Sequence, residues 1–305
     1  MFKAVIDLGT NSIKCLIAEV DEEEIRIHQD LMLTTRLGAD LAKDGLIKEN
    51  TWQSNIQALK QLKQICAQYH IAEENIVCVG AETLRKAANA DEFKSKVQKE
   101  TGWTLHILSP RQEASLSYRA AIALAPDDAD QVMVFDTGGG STEFSFGSQL
   151  HLYHQDSLPL GAVVLTQKFL SGDPISPAAV SKLQDHLNAV LSEAFPVPQK
   201  CLTIGCGGTV TSLAAIKLAL SSFDPLKVQG SLLSDTVLSE LVKLLLDSDL
   251  EQRKQIPGLH PDRADIIPAG ALIVQAIMKH FALKEILVSA RGIRHALLTQ
   301  MVPRG

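Results

Sequence analysis

The run Asp136-Thr-Gly-Gly-Gly-Ser-Thr142 brings together a carboxylate, three consecutive glycines and two hydroxyls. Glycine is entropically costly to order, so three in a row point to a need for bare backbone. Without Cβ atoms a phosphate can approach the main chain, where successive N–H groups aim at its oxygens. Ser141 and Thr142 add hydroxyl donors, and the carboxylate before the loop suits a divalent cation that bridges to the phosphate. Asp7-Leu-Gly-Thr-Asn-Ser12 repeats the arrangement 129 residues earlier. A third small-residue turn, Gly205-Cys-Gly-Gly-Thr-Val-Thr211, joins an apolar run to a helical one. Backbone donors at a helix N-terminus form an anion site. Neither Gly-x-Gly-x-x-Gly nor Gly-x-x-x-x-Gly-Lys-[Ser/Thr] occurs here, which excludes the dinucleotide-fold and P-loop solutions.

These runs need elements to hold them. Lys3-Ala-Val-Ile-Asp7 reads as a strand, residues 13–20 as a second and 25–28 as a third, with an acidic turn over 21–24. The same antiparallel meander returns at 131–136, 143–146 and 150–154, and each copy then reaches a Leu-Gly pair, Leu37-Gly38 or Leu160-Gly161. Such self-similarity indicates an internal duplication. After each meander the apolar period changes from 2 to 3.6. Trp52, Ile56, Leu59, Leu62, Cys66 and Tyr69 share one helical face, with Asn50 or Thr51 as N-cap. Further strands are expected at 76–79, 105–108, 201–204 and 285–289. Helices are expected at 90–100, 111–124, 161–170, 176–194, 207–220, 234–246 and 262–281. Strands alternating with helices imply an α/β architecture with a mixed sheet in each half. Pro126-Asp-Asp128 is the joint, so the expected domains are 1–125 and 126–295, with a final helix over 296–305 packing back on the first. The expected site is the cleft between the two Asp-Gly loops.

Composition narrows the class. A chain of 305 residues, 46% hydrophobic and 21% charged, folds, and it is long enough for two cores. A net charge of −6 argues against nucleic-acid binding, which needs a basic face, so an anionic substrate must be held by a local site. No stretch approaches the roughly 18 consecutive apolar residues of a membrane span. Asp7 interrupts the N-terminal apolar run before a signal peptide could form. Cys15, Cys66, Cys78, Cys201 and Cys206 read as buried thiols of a reduced, cytoplasmic protein. Neither Cys201/Cys206 nor His151/His154 is accompanied by the second ligand pair that zinc needs.

The two Asp-Gly loops and the third Gly-Gly-Thr turn look like the actin/hexokinase/Hsp70 ATPase superfamily. Within it, several segments resemble the exopolyphosphatase/guanosine pentaphosphate phosphohydrolase (Ppx/GppA) family. They are Ala4-Val-Ile-Asp-Leu-Gly-Thr-Asn-Ser12, Leu37-Gly-Ala-Asp-Leu-Ala42 with Gly45, Thr83-Leu-Arg-Lys-Ala-Ala-Asn89, Glu113-Ala114, Phe135-Asp-Thr-Gly-Gly-Gly-Ser-Thr-Glu143, Leu158-Pro-Leu-Gly-Ala162, Gly207-Gly-Thr209, Asp262-Arg-Ala-Asp265 and Gly292-Ile-Arg294.

The resemblance implies duplicated actin-like (ribonuclease H-like) domains of the short, two-domain type. It implies Mg²⁺-dependent release of terminal phosphate from inorganic polyphosphate or, alternatively, from guanosine pentaphosphate (pppGpp). It places the general base at Glu113, a second catalytic carboxylate at Glu143, and metal carboxylates at Asp136 and Asp7. Phosphate would meet Thr10, Asn11, Ser12, Lys14, Arg85, Gly138, Gly139, Gly140, Ser141, Thr142, Gly207, Gly208 and Thr209. A homodimer is consistent with the family, though no sequence feature identifies its surface.

Four places depart from the family pattern. Lys14 stands where Arg is usual, giving a point charge instead of a bidentate fork. Pro110-Arg-Gln112 replaces Gly and acidic residues, Ala81 replaces Thr, and His295-Ala296 replaces Glu-Gly. Two other classes fit the phosphate loops less completely: an actin-fold kinase, and a non-catalytic sensor of polyphosphate or alarmone.

Overall fold

Phe2–Leu8 (β1) is apolar on both faces, as a strand covered on both sides must be. In the computed structural model, which describes residues 1–22, 24–39, 41, 45–194 and 201–302, it lies at the centre of a five-stranded sheet. Ser12–Val20 (β2) pairs antiparallel with β1, and Ile25–Thr34 (β3) with β2. Glu49–Gln68 (α1) lays Ile56, Leu59, Leu62 and Cys66 on the face carrying Ala4, Ile6, Ile13 and Ile17. The chain then crosses to Ile76–Gly80 (β4), parallel to β1. Glu82–Lys86 (α2) and Ala90–Thr101 (α3) lead to Leu105–Ile107 (β5), parallel to β4, and on to Pro110–Ala121 (α4).

The second sheet repeats this plan. Val132–Thr137 (β6), Thr142–Gly147 (β7) and Leu152–Leu158 (β8) form its antiparallel meander. Ala162–Phe169 (α5) and Pro177–Leu191 (α6) precede Leu202–Cys206 (β9), which lies parallel to β6. Gly207–Lys217 (α7), Pro225–Val228 (α8), Leu232–Ser234 (β10), Asp235–Asp247 (α9), Leu250–Lys254 (α10) and Ile267–His280 (α11) follow, then Glu285–Val288 (β11) and Ile293–Gln300 (α12). The strand orders are β3-β2-β1-β4-β5 and β10-β11-β9-β6-β7-β8, so β10 is the one strand added to a common pattern. The duplicated α/β architecture expected from the sequence is the observed one.

The chain divides into one unit of Met1–Leu116 plus the segment beginning at Ile293, and a second of Ser117–Gly292. In the first unit α12 sets Leu298 against Val5, Leu16, Ala18 and Val20. In the second, the latter half of α4 sets Tyr118 and Ala121 against Val132, Val134, Ile204 and Cys206. No described helix is long and apolar enough to cross a membrane.

Several expected elements differ. Residues 262–281 are not one helix: a 3₁₀ turn at Pro261–Arg263 precedes α11, which carries Pro268 in its first turn, where a missing N–H costs nothing. β3 and β8 run further than their sequence patterns because both are edge strands with polar, half-exposed faces. α2, α8, β10 and α10 are too short to show a period. Residue 23 of the acidic turn, Asp40 and Ala42 of the Leu37 segment, and the 303–305 end of the final helix lie outside the described residues.

The two Asp-Gly turns are built alike. Gly9 N donates to Ser12 O (3.1 Å) and Gly138 N to Ser141 O (2.9 Å). Each turn is also backed by the segment after its Leu-Gly pair or just before it. Ala162 N donates to Gly138 O, and Val163 N and Val164 N to Gly139 O, at 2.9–3.2 Å. In the first copy Gly38 N donates to Thr10 O, and Thr35 N and Arg36 N donate to Asn11 O. The approach is close: a Cβ at Gly161 would lie 2.2 Å from Gly140 C and 2.4 Å from Gly139 O.

Gly161→Ala must therefore move backbone against backbone, and should cost about 1–3 kcal/mol in urea unfolding. Gly172→Ala, whose Cβ would lie no nearer than 3.7 Å to Pro174 O, should stay within about 0.5 kcal/mol of wild type. Equal effects of the two would show that the contact at Gly161 is not tight.

A second expectation concerns Glu100 on α3, which meets Lys60 of α1 at 2.5 Å and Lys96 at 3.0 Å. The hydrogen bond from Lys60, then that from Lys96, lowers its pKa from 4.5 to about 2. A depressed folded-state pKa stabilises above the unfolded value, and that stabilisation is lost as pH falls through the folded one. The stability gap between wild type and Glu100→Gln should thus narrow from pH 5 to pH 2, and a constant gap would show that the pair contributes nothing.

Candidate functional site

In the second unit, Asp136 on β6 stands opposite Glu143 on β7, and Glu143 opposite Ser157 on β8. Residues directly opposed in an antiparallel pair share a sheet face, so the two carboxylates are neighbours at the end of the strands where the glycine turn begins. Glu143 is only 3% exposed, and a buried carboxylate needs donors. Its Oε1 accepts from Ser141 Oγ (2.5 Å) and Ser157 Oγ (2.9 Å). Asp136 Oδ2 accepts from Ser117 Oγ of α4 at 2.6 Å. Its Oδ1 lies where a Cβ on Gly207 would be 2.3 Å away, and Gly207 has φ +88°. Both facts restrict that position to glycine.

The turn itself offers backbone. Among the described residues, no protein acceptor takes the amides of Gly139, Gly140 or Ser141. The carbonyls of Gly138 and Gly139 are spent on α5, so the loop is anchored through its acceptors while its donors stay open. This is the arrangement of an anion nest. The hydroxyls behave differently. Ser141 Oγ is donated to Glu143, and buried Thr142 Oγ1 donates to Leu160 O at 2.6 Å. Thr209, fully buried, has its methyl against Gly270 of α11, and its Oγ1 has no partner among the described residues. At the third turn the amides of Gly207 and Gly208, at the N-terminus of α7, therefore carry the donor capacity. Arg263 belongs to the Asp262-Arg-Ala-Asp265 segment. Its guanidinium packs on that turn, with Nη1 2.6 Å from where a Gly208 Cβ would stand. Burial pushes its pKa down to about 10, against the opposing pull of Asp265.

In the first unit the amides of Thr10 and Asn11 likewise meet no protein acceptor among the described residues. Thr10 Oγ1 accepts from Thr83 Oγ1 of α2 (2.8 Å), and Asn11 and Ser12 are buried, with Asn11 Nδ2 lacking a partner among the described residues. Asp7 and Lys14 are register partners on β1 and β2. Arg85 donates through Nη1 both to Leu108 O (2.7 Å) and to Glu113 Oε2 (2.8 Å), a pair with side chains only 19% and 12% exposed. The structure thus brings the expected phosphate clamp and the expected base into one ion pair.

The unusual Pro110-Arg-Gln112 is a helix start. Gln112 N donates to Ser109 Oγ (3.2 Å) and Ser109 N to Gln112 Oε1 (2.9 Å), with Pro110 as the first helical residue. That is a capping box, and it fixes the turn that carries Glu113.

No group of three or more His, Cys, Asp or Glu side chains among the described residues forms a metal cage. Mg²⁺ does not require one: it keeps waters and takes one or two carboxylates with the phosphates of its substrate. Asp136 and Glu143, hard oxygen donors side by side at the nest, fit that use, and Asp7 occupies the equivalent strand position in the first unit.

The chain is 32% identical over 298 residues to the bifunctional 3-dehydroquinate synthase/phosphatase of Fusobacterium nucleatum, covering 94% of this chain and 44% of that protein. It thus spans less than half of that relative. It is 27% identical over 289 residues to exopolyphosphatase 2 of Mycobacterium tuberculosis, covering 90% of this chain and 89% of that one. A crystal structure of the Aquifex aeolicus member of the Ppx/GppA family, 30% identical, superposes with a TM-score of 0.80 over 99% of this chain and 97% of its own. The family model described as the Ppx/GppA phosphatase family matches residues 16–305, and the chain belongs to that family.

Proposed function

We propose that this protein is an exopolyphosphatase, a Mg²⁺-dependent hydrolase that releases orthophosphate from the end of inorganic polyphosphate. The observation that carries the reading is the Asp136–Glu143 pair beside a glycine turn whose three amides are unspent, in a member of a phosphatase family. Hydrolysis of a phosphoanhydride asks a protein mainly to place a water in line and to neutralise charge on the equatorial oxygens. The Gly139, Gly140 and Ser141 amides supply fixed donors for those oxygens. Mg²⁺, when bound to Asp136 and Glu143, would neutralise phosphate charge. Glu113 takes the proton of the attacking water. Its place is set by the capped first turn of α4 and by Arg85, whose Nη1 holds the carboxylate. Arg85 therefore acts on the base in this state, and gripping phosphate as well would require its hydrogen bond to Glu113 to be shared or exchanged. The five cysteines, all free, support a reduced and hence cytoplasmic setting.

Phosphate release from polyphosphate and from pppGpp, measured side by side with Mg²⁺, tests the substrate: polyphosphate should be the faster, and the reverse order would reassign the protein to the alarmone. Glu113→Gln removes the base but keeps shape, so kcat should fall by at least about 10²-fold with little change in polyphosphate affinity. Asp136→Asn should lose activity and Mg²⁺ dependence together. If Glu113→Gln retains most of the wild-type turnover at saturating substrate, the assignment of the base is wrong.

A further inference from the structure

We infer that Ser117 is a positioning residue for the Asp136 carboxylate, orienting it for the divalent cation; this rests on the hydrolase reading above. Ser117 is 1% exposed, and its Oγ lies 2.6 Å from Asp136 Oδ2, within the short range of hydroxyl-to-carboxylate bonds. A serine inside a helix commonly turns its hydroxyl back to a carbonyl of its own helix. Here the recorded bond leaves the helix instead and goes to a carboxylate. The carboxylate is confined on its other side too. Oδ1 stands over Gly207, at a point where a Cβ would also come within 2.7 Å of Thr137 O.

The torsion that turns an aspartate carboxylate is broad and roughly two-fold, so its own preference does not choose which oxygen faces which way. The Ser117 hydroxyl chooses. A hydroxyl brings no opposite charge, so it orients the carboxylate without forming an ion pair with it. Two effects of removing it compete. Loss of the donor frees a lone pair on Oδ2, which would favour a cation, but it also frees the carboxylate to rotate. Each carboxylate oxygen has two lone pairs, so Ser117 uses one and leaves another open. The orienting effect therefore wins, and loss of such outer partners typically weakens metal binding about 10- to 100-fold.

The test compares wild type with Ser117→Ala and Ser117→Thr, and has two readouts. One is the free Mg²⁺ giving half-maximal phosphate release from polyphosphate. The other is the rise in Tm that Mg²⁺ produces without substrate. Ser117→Ala should raise the half-saturating Mg²⁺ by about 10-fold and shrink the Tm rise, while KM for polyphosphate at saturating Mg²⁺ stays within about 2-fold. Ser117→Thr, which keeps the hydroxyl, should restore both. An unchanged Mg²⁺ requirement and Tm rise in Ser117→Ala would overturn the inference, even if the variant is less stable. Should Ser117→Ala not fold, Ser117→Cys keeps the volume with a weaker donor and must show the same shift in Mg²⁺ requirement. Asp136→Asn separates the two levels. If it is inactive while Ser117→Ala behaves as wild type, only the role of Ser117 fails. If Asp136→Asn keeps wild-type activity and Mg²⁺ dependence, the hydrolase reading of the site fails, and the role of Ser117 with it.

Discussion

A loop that binds an anion through its backbone must be rigid while its amides stay uncommitted, and those demands conflict because most rigid backbone is held by its own N–H groups. The second unit resolves the conflict by fixing the glycine turn through its carbonyls. The first amides of α5, which any helix leaves without internal partners, are spent on Gly138 and Gly139. That contact demands that Gly161 pass directly over Gly140, and it places Leu160 O where Thr142 can reach it. The first unit answers the same demand with residues 35–38 against Thr10 and Asn11. The Leu-Gly pairs that look incidental in the sequence are the buttresses of the two turns.

The carboxylates are kept in contrasting company. Asp136 and Glu143 are held by serine hydroxyls, which orient a carboxylate without bringing an opposite charge. Glu113 is held by a guanidinium and sits at the first turn of a capped helix. The two environments differ in kind, with neutral donors around Asp136 and Glu143 and a cation beside Glu113.

What could be seen in the sequence follows from how each feature is encoded. The Asp-Gly turns depend on residue type alone, because only glycines let backbone come so close, and their repetition disclosed the duplication and the two mixed sheets. The capping box was equally present as Ser109-Pro-Arg-Gln112, a Ser-x-x-Gln signature that explains the departure from the family pattern. Ser117 and Arg263 were not legible in this way. Their roles depend on which element packs against which glycine turn, and no local spacing carries that. For the same reason the Arg85–Glu113 pair, across 28 positions of sequence, could not be foreseen from either residue. The hydroxyls of Thr142 and Thr209 looked available because their types are right; it is their burial that commits or encloses them.

The two halves of the sequence exchange their last helices. The helix after β5 ends by covering Val134 of the second sheet, and the helix after β11 covers Val5, the residue 129 positions earlier in the repeat, with Leu298. Each half thus lends its final helix to the other half's sheet. A chain break at the Pro126 joint would therefore part Tyr118 and Ala121 from Val132 and Val134, the strand residues they cover.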